Sequence, residues 1–223
     1  MSHAGALPLR LVRAERPIDA AAALLAEAIE ASHERNGSAR VAIPGGSAVL
    51  ALAPTRALVT ADAWKRVRLT WVDERCVPLA SPDSNRGAAL KNGPLGVASE
   101  LALVLDGESP ATSVARVEQA LRASFEGALD VTLLGMGEDG HIASLFPGHA
   151  WATDALAAHV AESPKPPKDR ITLTRTILAT ARTSILLAAG EGKRAALERL
   201  VRGDASLPAH GLPGLVVVTD LAL

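Results

Sequence analysis

Strand-length runs that are apolar on nearly every residue, alternating with segments of helical periodicity, constrain this chain more than any other feature. The runs fall at 40–43, 67–72, 101–105, 129–134, 171–173, 184–188 and 215–218. A strand with one face in water alternates apolar and polar residues, whereas one that is apolar throughout is covered on both faces. Helical spacing lies between the runs, at 20–33, 48–58, 113–125 and 191–201, with Val114, Val117, Leu121 and Phe125 near one face of the third. Such alternation predicts parallel βαβ units. The expectation is an α/β fold, a single-domain Rossmann-like three-layer sandwich with a mostly parallel central sheet, over residues 1–223. Asp19 is the expected cap of the first helix and Asn36-Gly37 its stop. Pro54 is an irregularity in the second helix. The one linker-like stretch, Ser-Pro-Lys-Pro-Pro-Lys at 163–168, is too short to divide the chain into domains.

In open α/β sheets, ligands gather at the carboxyl ends of strands. The chemically distinctive residues of this chain follow strands in four places. Pro44-Gly45-Gly46-Ser47 leaves the first run; it reads either as a tight turn or as a loop whose backbone N–H groups and Ser47 hydroxyl meet an anion at a helix start. Asp73-Glu74-Arg75 ends the second, either as a solvated loop start or with Arg75 set over a phosphate or carboxylate, which its planar fork suits. Ser84-Asn85-Arg86 follows at an expected helix start and offers further polar contacts.

The third motif is the most informative. The 129–134 run enters Gly135-Met136-Gly137-Glu138-Asp139-Gly140-His141, which crowds glycines around an acid and a histidine two residues apart. A neutral histidine takes a proton from water near pH 7, and a nearby carboxylate orients the ring. His3, His33 and His159 have no such setting and read as incidental. The fourth motif, Gly190-Glu191-Gly192-Lys193, sets Lys193 in the first turn of a helix, where a cation opposes the helix dipole unless an anion is bound.

Composition removes other classes. The 223 residues carry a formal net charge of -1, 48% hydrophobic residues, three Trp, two Phe, no Tyr and one Cys. That is too apolar for a disordered chain. It lacks the basic excess and the aromatic platform of a nucleic-acid binder. One Cys forms no internal disulfide and no Cys-rich zinc site, and Cys76, His141 and the carboxylates show no metal-ligand spacing. No run approaches the ~18 apolar residues of a membrane span. Residues 1–10 lack a basic segment followed by an apolar core. A soluble, cytoplasmic protein without metal is therefore expected. Gly135, Gly137 and Gly140 lack the helix and downstream acid of a dinucleotide fingerprint, and no Gly-x-Ser-x-Gly elbow is present.

Taken together, Gly45-Gly46-Ser47, Asp73-Glu74-Arg75, Ser84-Asn85, residues 134–148, Pro-Lys-Asp-Arg-Ile-Thr-Leu-Thr at 167–174 and Gly190–Lys193 resemble the 6-phosphogluconolactonase family. Glucosamine-6-phosphate deaminases of the wider superfamily share parts of this set, but typically carry Asn-Glu-Pro where this chain has Ser144-Leu145-Phe146-Pro147. One departure is that Ala48-Val49 stand where the family's loop usually continues with a hydroxyl residue and Pro. The resemblance implies hydrolysis of a sugar-phosphate lactone without a cofactor. Arg75, Lys193 and the Gly45–Ser47 loop would hold the phosphate, with Asp73 and Asn85 as further contacts. His141 would activate water and then protonate the ring oxygen. Asp139 would orient His141, and the Gly140 N–H would support the oxyanion. Glucose-6-phosphate dehydrogenase is the implied functional neighbour. The alternatives are an aminosugar-phosphate deaminase or isomerase, or a non-catalytic sugar-phosphate-binding module.

Overall fold

The computed structural model describes residues 9–91, 93–149 and 153–223. The elements in chain order are β1 (Arg10–Arg13), α1 (Pro17–Asn36), β2 (Ala39–Ile43), α2 (Leu52–Leu58), α3 (Ala61–Lys65), β3 (Val67–Trp71), β4 (Asp73–Arg75), α4 (Asn85–Ala89), β5 (Ser99–Leu101), α5 (Pro110–Ser124), β6 (Val131–Gly135), β7 (Ala157–Val160), β8 (Arg170–Leu173), α6 (Arg175–Leu178), β9 (Thr183–Leu187), α7 (Arg194–Val201) and β10 (Leu215–Thr219). Short 3-10 segments, Gly46–Ala51 and Glu191–Lys193, precede α2 and α7.

Among the described residues, seven strands form one sheet in the order β1-β10-β9-β6-β2-β3-β5, every pair parallel. Helices cover both of its sides. The central strands are buried along almost their whole length, which is why they read as unbroken apolar runs. Trp71 and Phe125 are the bulkiest fully buried side chains; leucine, valine, isoleucine and alanine fill most of the rest of the core. Each fully buried leucine such as Leu133 contributes about 1.5–3 kcal/mol. A second sheet, β4-β8-β7, is antiparallel and grows out of the first: the chain leaves β3 at Trp71, passes Val72 and enters β4 at Asp73.

Several local expectations are corrected. The first helix starts at Pro17, which sits where a missing N–H costs nothing; Arg16 precedes it without a side-chain cap, and Asp19 instead pairs with Arg16 at 2.7 Å. Gly37 ends that helix in the left-handed conformation, as its position suggested, with its N–H donating to the His33 carbonyl. The 48–58 helix is split, and Pro54 falls in the first turn of α2. The 101–105 run is not a strand beyond Leu101. The carbonyls of Ala102 and Leu103 are taken by the Arg116 guanidinium at 2.8 and 3.3 Å, while both residues stay buried. The 171–173 run does form a strand, but in the antiparallel sheet. The 163–168 stretch packs against the fold, with three of its carbonyls bonded by Arg170. His3 lies outside the described residues; His33 and His159 pair with Asp62 and Asp169 at 3.1 and 2.8 Å.

Candidate active site

A cavity of about 500 Å³ opens at the carboxyl ends of β2, β3, β6 and β9. The turn after β2 lines it with Gly45, Gly46 and Ser47, the β3–β4 passage with Asp73 and Arg75, and the loops after β6 and β9 with His141 and Lys193. Asn85 and Arg170 complete its polar wall. Eight of the ten residues singled out from the sequence thus meet in one place; Asp139 and Gly140 stand behind it.

Strand alternation divides the labour within β4. Asp73 and Arg75 face the cavity, and Glu74 between them points the other way. Glu74 is buried and accepts from the backbone N–H groups of Arg75, Asn85 and Arg86 at 2.7–2.8 Å and from the Ser84 hydroxyl at 3.2 Å. Burial raises its pKa, and those four donors oppose the rise. Its role is structural: it pins the head of α4 to β4 and so delivers Asn85. The Asn85 amide then donates to the Asp73 carbonyl and to Asp73 Oδ1 at 2.8 and 3.1 Å. Asp73 Oδ2 accepts from the Ser144 hydroxyl at 2.6 Å. Asn85 lies so close to the β2 turn that a Cβ on Gly45 would fall 1.7 Å from its Oδ1, which is why glycine stands there.

The two 3-10 segments revise the helix-end argument. Ser47 sits in the first, about a turn ahead of α2, whereas Lys193 ends the second and is the N-cap residue of α7, one position ahead of the first turn expected for it. Their contribution is the Ser47 hydroxyl, the glycine backbone and the Lys193 ammonium. Arg75 Nη1 donates to the Asp83 carbonyl at 2.6 Å, while its Nε is buried with no partner among the described residues.

His141 Nδ1 lies 2.5 Å from Asp139 Oδ1. Burial lowers the His141 pKa; the hydrogen bond and charge of Asp139 oppose this, and the imidazole stays below its ordinary value. Burial pushes Asp139 up, but the bond and charge of His141, helped by Lys165, outweigh it and leave the carboxyl low. An ionised Asp139 accepts only, so Nδ1 carries the proton and Nε2 is left as a base on the cavity side. The Phe146 ring, 4.8 Å from the imidazole between centroids, gives it an apolar neighbour.

Gly140 does not serve as expected. Its N–H donates to the Gly137 carbonyl at 3.0 Å, and with φ +93 it closes the tight turn that carries His141. That amide is spent on the turn and cannot meet an oxyanion. Gly137 matters more: a Cβ there would sit 2.0 Å from His141 Nδ1 and 2.5 Å from Asp139 Oδ1. Gly137→Ala is expected to part the two side chains and lower kcat about 100-fold, since displacements near 1 Å cost that much. Because Gly137 is not in the left-handed region, thermal unfolding should show a folded protein; an active Gly137→Ala enzyme would mean the contact is dispensable.

Residues that sequence reasoning passed over are Arg170, Ser144 and Lys165. Arg170 lies within the 167–174 motif, but it follows Lys168 and Asp169 directly, so nothing local set it apart as a cavity residue.

Known proteins are similar to this chain in sequence and in fold. The family described as glucosamine-6-phosphate isomerases/6-phosphogluconolactonase matches residues 13–217. A 6-phosphogluconolactonase of Streptomyces coelicolor is 35% identical over 224 residues, covering 87% of this chain and 83% of that protein. The 6-phosphogluconolactonase of Rattus norvegicus is 35% identical over 187 residues, covering 78% and 73%. In fold, the chain superposes on the crystal structure of a 6-phosphogluconolactonase from Thermotoga maritima with a TM-score of 0.82, at 24% identity and with 95% and 97% of the two chains covered. With a family match that spans the chain from β1 into β10 and takes in every strand end around the cavity, the chain belongs to the glucosamine-6-phosphate isomerase/6-phosphogluconolactonase family.

Proposed function

We propose that this protein hydrolyses 6-phospho-D-glucono-1,5-lactone to 6-phosphogluconate in the oxidative pentose phosphate pathway. The observation that carries the reading is His141 lining the cavity with Nδ1 held by Asp139, in a pocket that Lys193 also lines. Lys193, Arg75 and the Gly45–Ser47 loop hold the phosphate. That grip comes from a non-reacting part of the substrate and fixes the lactone against His141. Nε2 of His141 takes a proton from water as the water oxygen bonds to C1. The same proton then goes to the ring oxygen as the C1–O bond breaks.

Among the described residues, no helix is long and apolar enough to cross a membrane. A cytoplasmic setting, with glucose-6-phosphate dehydrogenase as functional neighbour, goes with this reading.

The test is the rate on freshly prepared lactone, with chelator and without. Acceleration over spontaneous opening in both is the expected result; none would sink the proposal, and loss with chelator would sink its metal-free part. Ammonia release from glucosamine 6-phosphate would favour a deaminase instead. Lys193→Ala is expected to raise KM about 10–100-fold, the worth of a charge-assisted bond, with kcat little changed. A fall in kcat at unchanged KM would place Lys193 at the reacting end.

A further inference from the structure

Arg170 is a charged side chain that the proposed mechanism leaves unused. It heads β8, its side chain is 4% exposed, and it lines the cavity. Its Nε donates to the Pro167 carbonyl at 3.0 Å, and its Nη2 to the Lys165 and Pro166 carbonyls at 2.9 and 3.3 Å. Those bonds use the hydrogen on Nε and both on Nη2. Nη1 is different. Among the described residues it has only the Ser144 hydroxyl at 3.5 Å and stands 3.8 Å from Asp73 Oδ2, beyond hydrogen-bond distance. A hydrogen on Nη1 is therefore left for something in the cavity.

The side chain is tied to the His141–Asp139 pair from two directions. Ser144 lies three residues beyond His141 in the same loop. Lys165, whose carbonyl Arg170 holds, sets its ammonium 3.8 Å from Asp139 Oδ1, the oxygen that also meets His141 Nδ1. Register adds a third observation. Arg75 and Arg170 are direct partners across β4 and β8, so both leave the same face of the sheet into the same cavity. Like charges directly opposed destabilise a sheet. Among the described residues lining the cavity, Asp73 is the one carboxylate set against Arg75, Arg170 and Lys193. That wall carries an excess of positive charge and favours an anionic ligand.

We propose that Arg170 is a catalytic residue whose Nη1 donates to the lactone carbonyl oxygen, and that it grips the carboxylate which that oxygen becomes. This rests on the lactonase reading. As the water oxygen bonds to C1, the carbonyl pair moves onto the oxygen facing Nη1, and His141 takes the water's proton. When the carbonyl re-forms, the bond from C1 to the ring oxygen breaks and the ring oxygen receives the proton from His141. The new carboxyl group releases its proton to solvent and faces Arg170 as a carboxylate. A guanidinium already fixed by three carbonyls needs no rearrangement as charge appears, which is what makes such a donor effective.

The test compares wild type with Arg170→Met in two assays. One is turnover of 6-phosphogluconolactone. The other is binding of 6-phosphogluconate and of glucitol 6-phosphate, which shares the phosphate but has a hydroxymethyl group at C1. Arg170→Met is expected to lower kcat by about 100-fold or more. It should weaken 6-phosphogluconate about tenfold or more while leaving glucitol 6-phosphate within about twofold. Equal weakening of both ligands would assign Arg170 to the phosphate or to loop anchoring and overturn the proposal, as would an unchanged kcat. Should the Met variant fail to fold, wild type decides: 6-phosphogluconate must bind about tenfold more tightly than glucitol 6-phosphate, and equal affinities overturn the proposal. A wild-type protein that does not accelerate lactone opening sinks the lactonase reading instead, and the binding arm still reports on Arg170.

Discussion

His141→Asn is expected to lower kcat by about 10²–10⁴-fold, the range that a positioned general base supplies. Asparagine keeps a donor for Asp139 and a similar volume, so the loop should stay closed and thermal stability should hold. What disappears is the basic nitrogen facing the cavity. The pH profile gives an independent reading. The imidazole lies below its ordinary value, so its neutral form already dominates at neutral pH. The enzymatic kcat/KM should rise with pH through that lowered value and be flat above it. The Asn variant should lose this rise and retain only the slope of the spontaneous reaction. Full activity in His141→Asn would remove the general-base role and with it the mechanism proposed here.

Arg40→Met is expected to destabilise the protein by about 3–5 kcal/mol, because it strands a buried carboxylate. Asp130 is 4% exposed and accepts from Arg40 Nε and Nη2 at 3.0 Å each and from the Arg40 backbone N–H at 2.8 Å. Its backbone carbonyl accepts from Arg182 and Thr183, so this one residue gathers β2, β6 and β9 at their amino ends. Stability is of order 5–15 kcal/mol for a protein of this kind, so the loss is a large share of the whole. Burial pushes the Asp130 carboxyl up, and the bonds and charge of Arg40 more than reverse this, leaving it below its ordinary value. The sign follows. A depressed folded pKa contributes stability that is present above the unfolded carboxyl value and lost as pH falls through the folded one. Urea unfolding should therefore show a gap between wild type and Arg40→Met that is full at pH 7 and narrows in acid. The kcat of the folded variant should match wild type, since Arg40 lies at the opposite ends of the strands from the cavity. A gap independent of pH would mean that the pair contributes by packing alone.

The parallel core and the cavity residues after β2, β3, β6 and β9 were legible because apolar runs and glycine- or charge-rich strand ends are local patterns. The antiparallel sheet was not. β4 has three residues, β7 and β8 four each, and what sets them together is a pairing between residues about a hundred positions apart, such as Asp73 with Thr172. Arg170 was missed for the same reason: it becomes a cavity residue only through its register with Arg75. Gly140 was misjudged because its place in the motif could not say where its N–H points; that depends on a φ of +93 and an accepting carbonyl at Gly137. Asp139 was placed correctly as a partner of His141, since two residues in a glycine-flanked loop have few other ways to meet. The 3-10 geometry at Ser47 and Lys193 could not be read from periodicity at all.

The passage of the chain from one sheet to the other at Val72 has a consequence for how proteins of this architecture diverge. Asp73 and Arg75 look into the cavity and Glu74 into the scaffold solely because successive residues of an extended segment alternate. Adding or removing one residue there would exchange the two sets, turning the buried strut inward and the guanidinium outward. Length changes are therefore forbidden between β3 and β4 even though the segment lies outside the central sheet. A fixed count of residues there is what keeps the Glu74 strut in the scaffold and Asp73 and Arg75 in the cavity at the same time.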